Sequence, residues 1–256
     1  IITPLVSAIT NVQLDHQDVL GETLEQIAAE KTGIIKENVP IISGDENILV
    51  KNIIREKADA VGTEFIDATE VETDLETDLK GNYQRKNIRV VLALVEALRK
   101  KNISISDENI HDGLLHVQKN TGFIGRWFEF SKNPLTICDT GHNKAGLDMV
   151  FSQLSEYHCH KHIVLGFVQE KNIDEVLKIL PRDAHYYFVK PAIHRGRHPK
   201  DYENLLVEAG VDFKIFDSVE AGYQSAKANC KDGEMIFIGG SNFVVGDFLE
   251  KNLEVK

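Results

Sequence analysis

The chain has 256 residues, of which 42% are hydrophobic and 27% charged, and these proportions are ordinary for a globular protein with a buried core. Its formal net charge of −11 argues against a nucleic-acid partner, because the phosphate backbone would be repelled. No apolar run approaches the roughly 20 residues that cross a bilayer, so we expect no membrane association. The three cysteines are odd in number and widely spaced, which predicts free thiols in a reducing cytoplasm.

The first part of the chain predicts a strand, a helix and a second strand. Val6–Val12 and Pro40–Gly44 have strand composition. Between them, Thr23 and Gln26 have the spacing of a capping box, in which each side chain accepts a hydrogen bond from the other residue's backbone N–H. This pattern predicts a helix that begins near residue 24.

A lysine lies on the apolar side of this predicted helix, since Lys31 follows Ile27 and precedes Ile35 at helical spacing. A buried ammonium group is costly unless it is neutralised, paired or part of a functional site. Two interpretations stay open: the side chain reaches past the core to water, or it faces a pocket together with His16. His16 follows the first strand, at the end where open α/β sheets bind ligands, and Gly21 allows the chain to fold back. His16 is therefore a candidate metal ligand.

Two further helices and a domain joint are predicted before the chain reaches its midpoint. Ile88–Leu98 is rich in Val, Leu and Ala, and Asp107–Val117 follows a serine suited to cap a helix. The stretch Val117–Phe123 then breaks the helical periodicity. It predicts a division into domains of residues 1–120 and 121–256.

The second half predicts a regular α/β domain. Strand-like runs alternate there with helical segments of roughly ten to fifteen residues. These runs are Leu135–Cys138, His162–Phe167, His185–Val189, Phe213–Phe216 and Met235–Ile238. Such alternation is typical of a mostly parallel sheet with helices on its faces.

Several loops of this domain carry polar, basic or small residues where a strand ends. Asp139 follows the first predicted strand, and Gly239–Asn242 joins the last strand to the last helix. Lys171 and His194–His198 occupy the corresponding positions after two other strands. Each loop taken alone is better explained as an ordinary turn. Together they predict one edge of the sheet suited to anionic ligands, because strand ends and helix N-termini collect them.

The segment Leu14–Thr23, continued by Ile27–Lys36, closely resembles a segment of folylpolyglutamate and dihydrofolate synthases, which belong to the Mur ligase superfamily. The resemblance implies that His16 binds magnesium and that Lys31 is carbamylated. A carbamate beside a metal ion is a paired anion, so this modification would account for a lysine on an apolar stripe.

Two further segments resemble the same family in the expected order. Asn87 follows Gln84 in a segment whose asparagine contacts ATP in the family, although Tyr83 stands where the family has a histidine. Gly125-Arg126 resembles the Gly-Arg pair that opens the C-terminal domain. The resemblance implies that Asn87 and Arg126 contact ATP, Arg126 at a phosphate.

The last two segments that resemble the family are loops in the second half of the chain. Asp139–Asn143 resembles an Asp-Gly-Ala-His-Asn motif with its two middle residues changed, and Gly240-Ser241 resembles a closing Gly-Ser segment. This implies that Asp139 contacts the nucleotide. It also implies that His142 and Ser241 lie near the acyl-phosphate and the incoming glutamate.

The implied activity is that of an ATP- and magnesium-dependent ligase of folate biosynthesis. It would add L-glutamate to the carboxylate of a folate or dihydropteroate through an acyl-phosphate, as a cytoplasmic monomer, with Lys31, Arg126 and His142 in catalytic roles. The implied fold is an incomplete Mur ligase central domain followed by a Rossmann-like C-terminal domain. No glycine-rich phosphate loop with its lysine occurs in the sequence, so we expect that this region is missing and that the chain alone does not turn over ATP.

Two alternatives stay open from the sequence. One is a Mur-type cell-wall ligase, which shares the segment around His16 and Lys31 in outline, whereas Gly240-Ser241 favours the folate branch. The other is a non-catalytic nucleotide-binding fragment that keeps the fold without the chemistry.

Overall fold

The computed structural model describes residues 2–15, 17–169 and 173–253. Internal contacts divide the chain into two units, one formed by Ile1–Asp78 with Asn82–Gly122 and the other by Leu79–Gly81 with Phe123–Lys256. The assignment of residues 1–120 and 121–256 to the two Mur ligase domains stays a prediction. Within the described residues, none of the helices is both long enough and apolar enough to cross a bilayer.

The first unit contains a three-stranded parallel sheet in the order β1-β2-β3. Its strands are β1 (Ser7–Ile9), β2 (Ile41–Ser43) and β3 (Phe65–Asp67). Its helices are α1 (Gln17–Leu20), α2 (Leu24–Lys31), α3 (Ile48–Val61), α4 (Gln84–Lys100), α5 (Asp107–Leu115) and α6 (Val117–Thr121). The two predicted strands and three predicted helices are present, whereas β3, α1, α3 and α6 are additions to the prediction. The predicted break in helical periodicity at Val117–Phe123 is wrong, because α6 covers Val117–Thr121 and ends at Gly122, which has a left-handed backbone.

Both faces of this sheet are buried, and successive residues of β2 show how. Ile41 packs in a cluster with residues of α2 and α3, and the next residue, Ile42, packs in a second cluster with residues of α4. This alternation follows from the two-residue period of a strand. Each fully buried isoleucine contributes roughly 1.5–3 kcal/mol. Helices on both sides therefore hold the carboxyl ends of these strands in place.

The second unit contains a six-stranded sheet in the order β4-β5-β9-β6-β7-β8. Its strands are β4 (Phe128–Lys132), β5 (Leu135–Cys138), β6 (Lys161–Leu165), β7 (Ala184–Val189), β8 (Asp212–Phe216) and β9 (Met235–Gly239). All neighbouring pairs are parallel except β4 with β5. The predicted α/β fold with a mostly parallel sheet is confirmed. The antiparallel strand β4 is an addition, joined to β5 by the tight turn at Asn133-Pro134.

Helices cover both faces of this larger sheet. They are α7 (Lys144–Leu154), α8 (Ile173–Leu177), α9 (Glu203–Ala209), α10 (Val219–Asn229) and α11 (Asn242–Asn252). One cluster of buried side chains joins the sheet to α7, α8 and α9, and another joins it to α10 and α11. The predicted helix length is wrong for α9, which has 7 residues, because Gly210 ends it in the left-handed conformation at a φ of +65°.

Strand direction decides which loops of the second unit meet. The five parallel strands have their carboxyl ends at one edge of the sheet. Because β4 is antiparallel to β5, with Phe128 opposite Cys138, the loop that enters β4 lies at that same edge. This places Arg126, just before β4, near Asp139, just after β5. If β4 were parallel to β5, the two residues would lie at opposite edges of the sheet.

Candidate functional site

The carboxyl edge of the second sheet is formed around two adjacent strands, β5 and β9. Each strand leads through a short loop into an 11-residue helix. Asn143 caps α7 by accepting a hydrogen bond from the Gly146 N–H at 2.8 Å, and Ser241 caps α11 by accepting one from the Phe243 N–H at 3.2 Å. The helix predicted after the Gly239–Asn242 loop is confirmed. Two helix N-termini, which favour anions, therefore begin at this edge.

Asp139 joins the two loops that resemble the family's motifs. Its side chain is buried, with 1% of the residue exposed. One carboxylate oxygen accepts from the Gly141 N–H at 2.7 Å, and the other accepts from the Trp127 N–H at 2.8 Å. Hydrogen bonds to a charged acceptor contribute roughly 1.5–3 kcal/mol each. The carboxylate therefore fixes its own loop and the loop that enters β4.

Arg126 lies between two residues whose backbones adopt the left-handed conformation. Gly125 has a φ of +90° and Trp127 a φ of +45°. For a residue with a Cβ this conformation costs about 1–2 kcal/mol, which the burial of the Trp127 indole and its bond to Asp139 offset. The Gly125 carbonyl also accepts from the Thr140 N–H at 3.0 Å. Arg126, half-buried, is therefore held at the sheet edge by fixed backbone on both sides.

His142 follows in the loop that Asp139 stabilises. Its Nδ1 lies 3.2 Å from the carbonyl oxygen of Thr140, and the residue is half-buried. A carbonyl oxygen only accepts, so Nδ1 is the donor in this contact. In the tautomer with its one proton on Nδ1, the other nitrogen, Nε2, can accept a hydrogen bond from an amine.

The loops after β6 and β7 are paired with each other at the same edge. The Gln169 N–H donates to the Arg195 carbonyl oxygen at 3.0 Å. The Arg195 guanidinium lies over the ring of Phe243, 5.1 Å from its centroid, and the Arg197 guanidinium lies over Tyr202 at 5.3 Å. Both guanidinium groups thus lie against aromatic rings, Arg195 as an exposed residue and Arg197 as a half-buried one.

The surroundings of Lys31 differ from those predicted. The apolar stripe was expected to run through Lys31 to Ile35, but α2 ends at Lys31 and a 3₁₀ turn covers Thr32–Ile34. Ile35 enters the core from extended backbone instead. Lys31 is half-buried, and its ammonium donates to the Asn11 carbonyl oxygen at 3.0 Å. Lys31 is therefore half-buried rather than buried, and the predicted continuation of the helix to Ile35 is wrong because α2 ends at Lys31.

The remaining predicted site residues lie in the first unit or outside the described residues. Asn87 is exposed on α4, where its amide nitrogen donates to the Gln84 side-chain oxygen at 2.7 Å. Gln84 is buried and fixes this side chain one turn along the helix. His16, the predicted metal ligand, and Lys171 lie outside the described residues.

The fold brings four predicted residues, Arg126, Asp139, His142 and Ser241, to one edge of the second sheet. The β5 and β9 loops are joined there, since the Asp139 N–H donates to the Ile238 carbonyl oxygen at 3.1 Å. Sequence reasoning missed Trp127, which turns the backbone after Arg126. Its position in the sequence could have indicated a role, because the only tryptophan of the chain directly follows Arg126.

Comparisons with known proteins find a matching family model and similar proteins. Residues 125–242 match the family described as Mur ligase, glutamate ligase domain. Dihydrofolate synthase/folylpolyglutamate synthase of Bacillus subtilis is 26% identical over 98% of this chain and 63% of that protein.

Two solved structures extend the comparison to the fold. The Mycobacterium tuberculosis folylpolyglutamate synthase complexed with ADP and AMPPCP superposes with a TM-score of 0.84 at 19% identity, over 97% of this chain and 64% of that one. The bifunctional folylpolyglutamate synthase/dihydrofolate synthase from Yersinia pestis, complexed with AMPPNP and Mn, gives a TM-score of 0.79 at 24% identity, over 96% and 61%.

The likeness to the solved structures establishes the fold, and the chain spans between 61% and 64% of the length of these three proteins. The matched family model begins at Gly125 and ends at Asn242, so it contains the whole edge built by Arg126, Asp139 and His142. Residues 125–242 therefore match the glutamate ligase domain of the Mur ligases, and the chain as a whole is similar to folylpolyglutamate and dihydrofolate synthases.

Proposed function

We propose that this chain takes part in an ATP- and magnesium-dependent ligation that adds L-glutamate to the carboxylate of a folate or dihydropteroate. The observation that carries the proposal is the double hydrogen bond of Asp139, which holds Arg126 and His142 at one sheet edge. A cation and a potential acceptor are thus positioned on rigid backbone. Relatives that bind ADP, AMPPCP or AMPPNP with Mn support a nucleotide and a divalent cation as ligands.

The reaction has two steps with different physical needs. The acceptor carboxylate attacks the γ-phosphorus of ATP, which forms an acyl-phosphate and releases ADP. The amine of glutamate then attacks the acyl carbon and displaces phosphate. The first step needs positive charge on the transferring phosphoryl group, and the second needs the amine held close to the acyl carbon.

Arg126 meets the first need, because a guanidinium presents paired N–H donors in a geometry that matches phosphate oxygens. Asp139 keeps the arginine in position and, in this proposal, also contacts the nucleotide. His142 meets the second need by accepting from the glutamate amine, and Ser241 lies at the N-terminus of α11 on the same side. Asn87 of the first unit is proposed as a further nucleotide contact.

Magnesium prefers oxygen ligands, and the unmodified ammonium of Lys31 offers none. Carbamylation of Lys31 would replace it with a carboxylate-like group, and its half-buried position leaves the amine within reach of carbon dioxide. We propose that carbamylated Lys31 supports a magnesium ion for which His16 is a ligand. When bound, the ion would neutralise phosphate charge.

Nucleotide binding by the 256-residue chain tests the proposal by calorimetry with ADP and magnesium. Arg126→Ala removes charged hydrogen bonds of roughly 1.5–3 kcal/mol, so we expect the affinity to fall about ten- to hundredfold. Arg182→Ala is the matched control, because Arg182 precedes β7 at the opposite edge of the same sheet and should leave the affinity unchanged. Unchanged binding in both Arg126→Ala and Asp139→Ala would refute the proposed site.

A further inference from the structure

The amino edge of the second sheet, opposite to Asp139, carries a cluster of histidine, cysteine and carboxylate side chains. The run His158-Cys159-His160-Lys161-His162 leads into β6, and short Cys/His-rich tracts are typical of metal binding. Cys230 follows α10 directly, and Glu234 precedes β9. Because β6 and β9 are parallel neighbours, their starts bring these residues to one place.

Three of these side chains form a compact ligand set. One ligand atom each from His162, Cys230 and Glu234 lies within 4.8 Å of the other two. The His162 Nε2 and a Glu234 oxygen lie 2.9 Å apart. In a tetrahedral zinc site with bonds of about 2.0–2.3 Å, ligand atoms lie roughly 3.3–3.8 Å from one another. Small side-chain rotations would therefore convert the cluster into a site.

The outer contacts of the set orient its ligands. The His162 Nδ1 lies 2.9 Å from the Tyr187 hydroxyl, so the ring is held with Nε2 toward Glu234. Glu234 in turn accepts from the Lys231 N–H at 2.8 Å. Metal-binding histidines almost always have their second nitrogen fixed in this way. The set is thus preorganised, with 4% of His162 exposed.

His160 can complete the coordination. Its ring centroid lies 5.2 Å from that of His162, and the residue is exposed, so the side chain has room to rotate. A cavity of about 400 Å³, lined by His160, His162 and Glu234 among others, opens beside the cluster. It provides a path by which an ion reaches the set.

The mixed nitrogen, sulfur and oxygen donors select the metal. Magnesium and calcium prefer oxygen ligands alone, whereas zinc accepts imidazole, thiolate and carboxylate together. The Cys230 thiolate and the Glu234 carboxylate supply two negative charges that balance a divalent ion. They also offset Lys214 and Lys231, which line the same cavity. A purely structural ion pair between His162 and Glu234 is the alternative interpretation, but it gives no role to Cys230 beside it.

We propose that His162, Cys230 and Glu234, with His160 as the fourth ligand, bind one zinc ion at the amino edge of this sheet. Four protein ligands leave no open position, so the site is structural. It ties the connection between α10 and β9 to the start of β6. This proposal is independent of the ligase function, which uses the opposite edge.

Cobalt(II), a spectroscopic substitute for zinc, tests the site on the full chain. The reduced protein is stripped with a chelator, titrated with Co²⁺ and then back-titrated with Zn²⁺. We expect saturation at one ion per chain, a near-ultraviolet band from thiolate-to-cobalt charge transfer, and loss of that band when zinc displaces cobalt. Binding without saturation, or without the band, overturns the proposal.

Variants assign the ligands. Cys230→Ser should remove the band. His162→Gln and Glu234→Gln should weaken zinc binding by more than about tenfold, because mutation of a residue that only hydrogen-bonds to a metal ligand already lowers the affinity by about tenfold or more. Cys159→Ser is the matched cysteine control and should keep the band, and the exposed His111→Gln should keep the affinity. A band that persists in Cys230→Ser, or disappears in Cys159→Ser, overturns the assignment.

A measurement on the unchanged chain covers the case in which a variant fails to fold. X-ray absorption of the zinc-loaded protein should show one sulfur neighbour at about 2.3 Å and nitrogen or oxygen neighbours at about 2.0–2.1 Å. A zinc environment without sulfur would overturn the proposed set. An unchanged zinc affinity in His160→Gln would overturn the role of the fourth ligand.

Discussion

The buried carboxylate of Asp139 accepts a hydrogen bond from the backbone N–H of Trp127 at 2.8 Å, and this contact carries a prediction about stability. Asp139→Asn keeps the shape but replaces one acceptor oxygen with an NH₂ group that faces a backbone donor. We expect the free energy of unfolding to fall by about 1–3 kcal/mol in urea denaturation. The exposed Asp148→Asn on α7 is the control, with a change below about 0.5 kcal/mol. Similar losses in both variants would contradict a special role for the buried acceptor.

Gly240 allows a second comparison, because it has a φ of +86° and a Cβ there would lie 2.9 Å from the Gly166 carbonyl oxygen. Gly233 has a φ of +83° with open space around it. Gly233→Ala therefore adds backbone strain alone, about 1–2 kcal/mol, whereas Gly240→Ala adds the same strain and a collision. We expect Gly240→Ala to lower the free energy of unfolding more. If denaturant unfolding gives equal losses, the loop after β6 yields to the added methyl group.

Asp67 of the first unit predicts a pH effect, since its carboxylate lies 3.0 Å from the Lys51 ammonium. Burial raises the pKa of Asp67, but hydrogen bonds from Thr69 and Lys51 outweigh burial and lower the pKa below its usual value. The unfolded state then holds the proton more tightly. The carboxylate therefore stabilises the fold above the unfolded pKa of about 3.9, and this contribution is lost as the pH falls through the lower folded pKa.

Asp67→Asn should accordingly flatten the decrease in the free energy of unfolding between about pH 5 and pH 3. Urea denaturation at a series of pH values measures this slope. Asp59→Asn, exposed on α3, serves as the control and should keep the slope of the unchanged chain. The same slope in Asp67→Asn would mean that the pair with Lys51 does not stabilise the native state.

Carbamylation of Lys31 is open to direct observation. With ¹³C-labelled bicarbonate and magnesium, we expect the chain to give a carbamate carbon signal in its ¹³C NMR spectrum, because a bound cation stabilises the anionic product. Lys31→Arg should abolish the signal, since an arginine does not form it. Lys36→Arg, which changes a half-buried lysine just beyond the 3₁₀ turn, should leave it intact. A signal that survives Lys31→Arg would assign the modification to another amine.

Local signals predicted much of the fold. The capping box of Thr23 and Gln26 places the start of α2, and Ser106 caps α5, because these contacts lie within a few residues of each other. The parallel sheet of the second unit followed from alternation of apolar strands and helices. Strand β4, at one edge of the sheet, was not predicted, whereas β8 at the other edge was.

The site was less predictable, because its geometry depends on distant contacts. Lys31 has apolar neighbours at helical spacing, but the sequence does not indicate that a 3₁₀ turn follows it. The resemblance singled out Arg126 and Asp139, yet only the antiparallel pairing of β4 brings them together. The amino-edge cluster joins His162 to Cys230 and Glu234 through strand pairing, which no local pattern records.

The length of β6 separates the two edges of the second sheet. Its five residues span roughly 17 Å, so no side chain reaches both edges. A cation beside His162 would therefore share no ligand with an anion beside Asp139. A variant with a different metal preference at the amino edge should leave every side chain that contacts a nucleotide at the carboxyl edge unchanged.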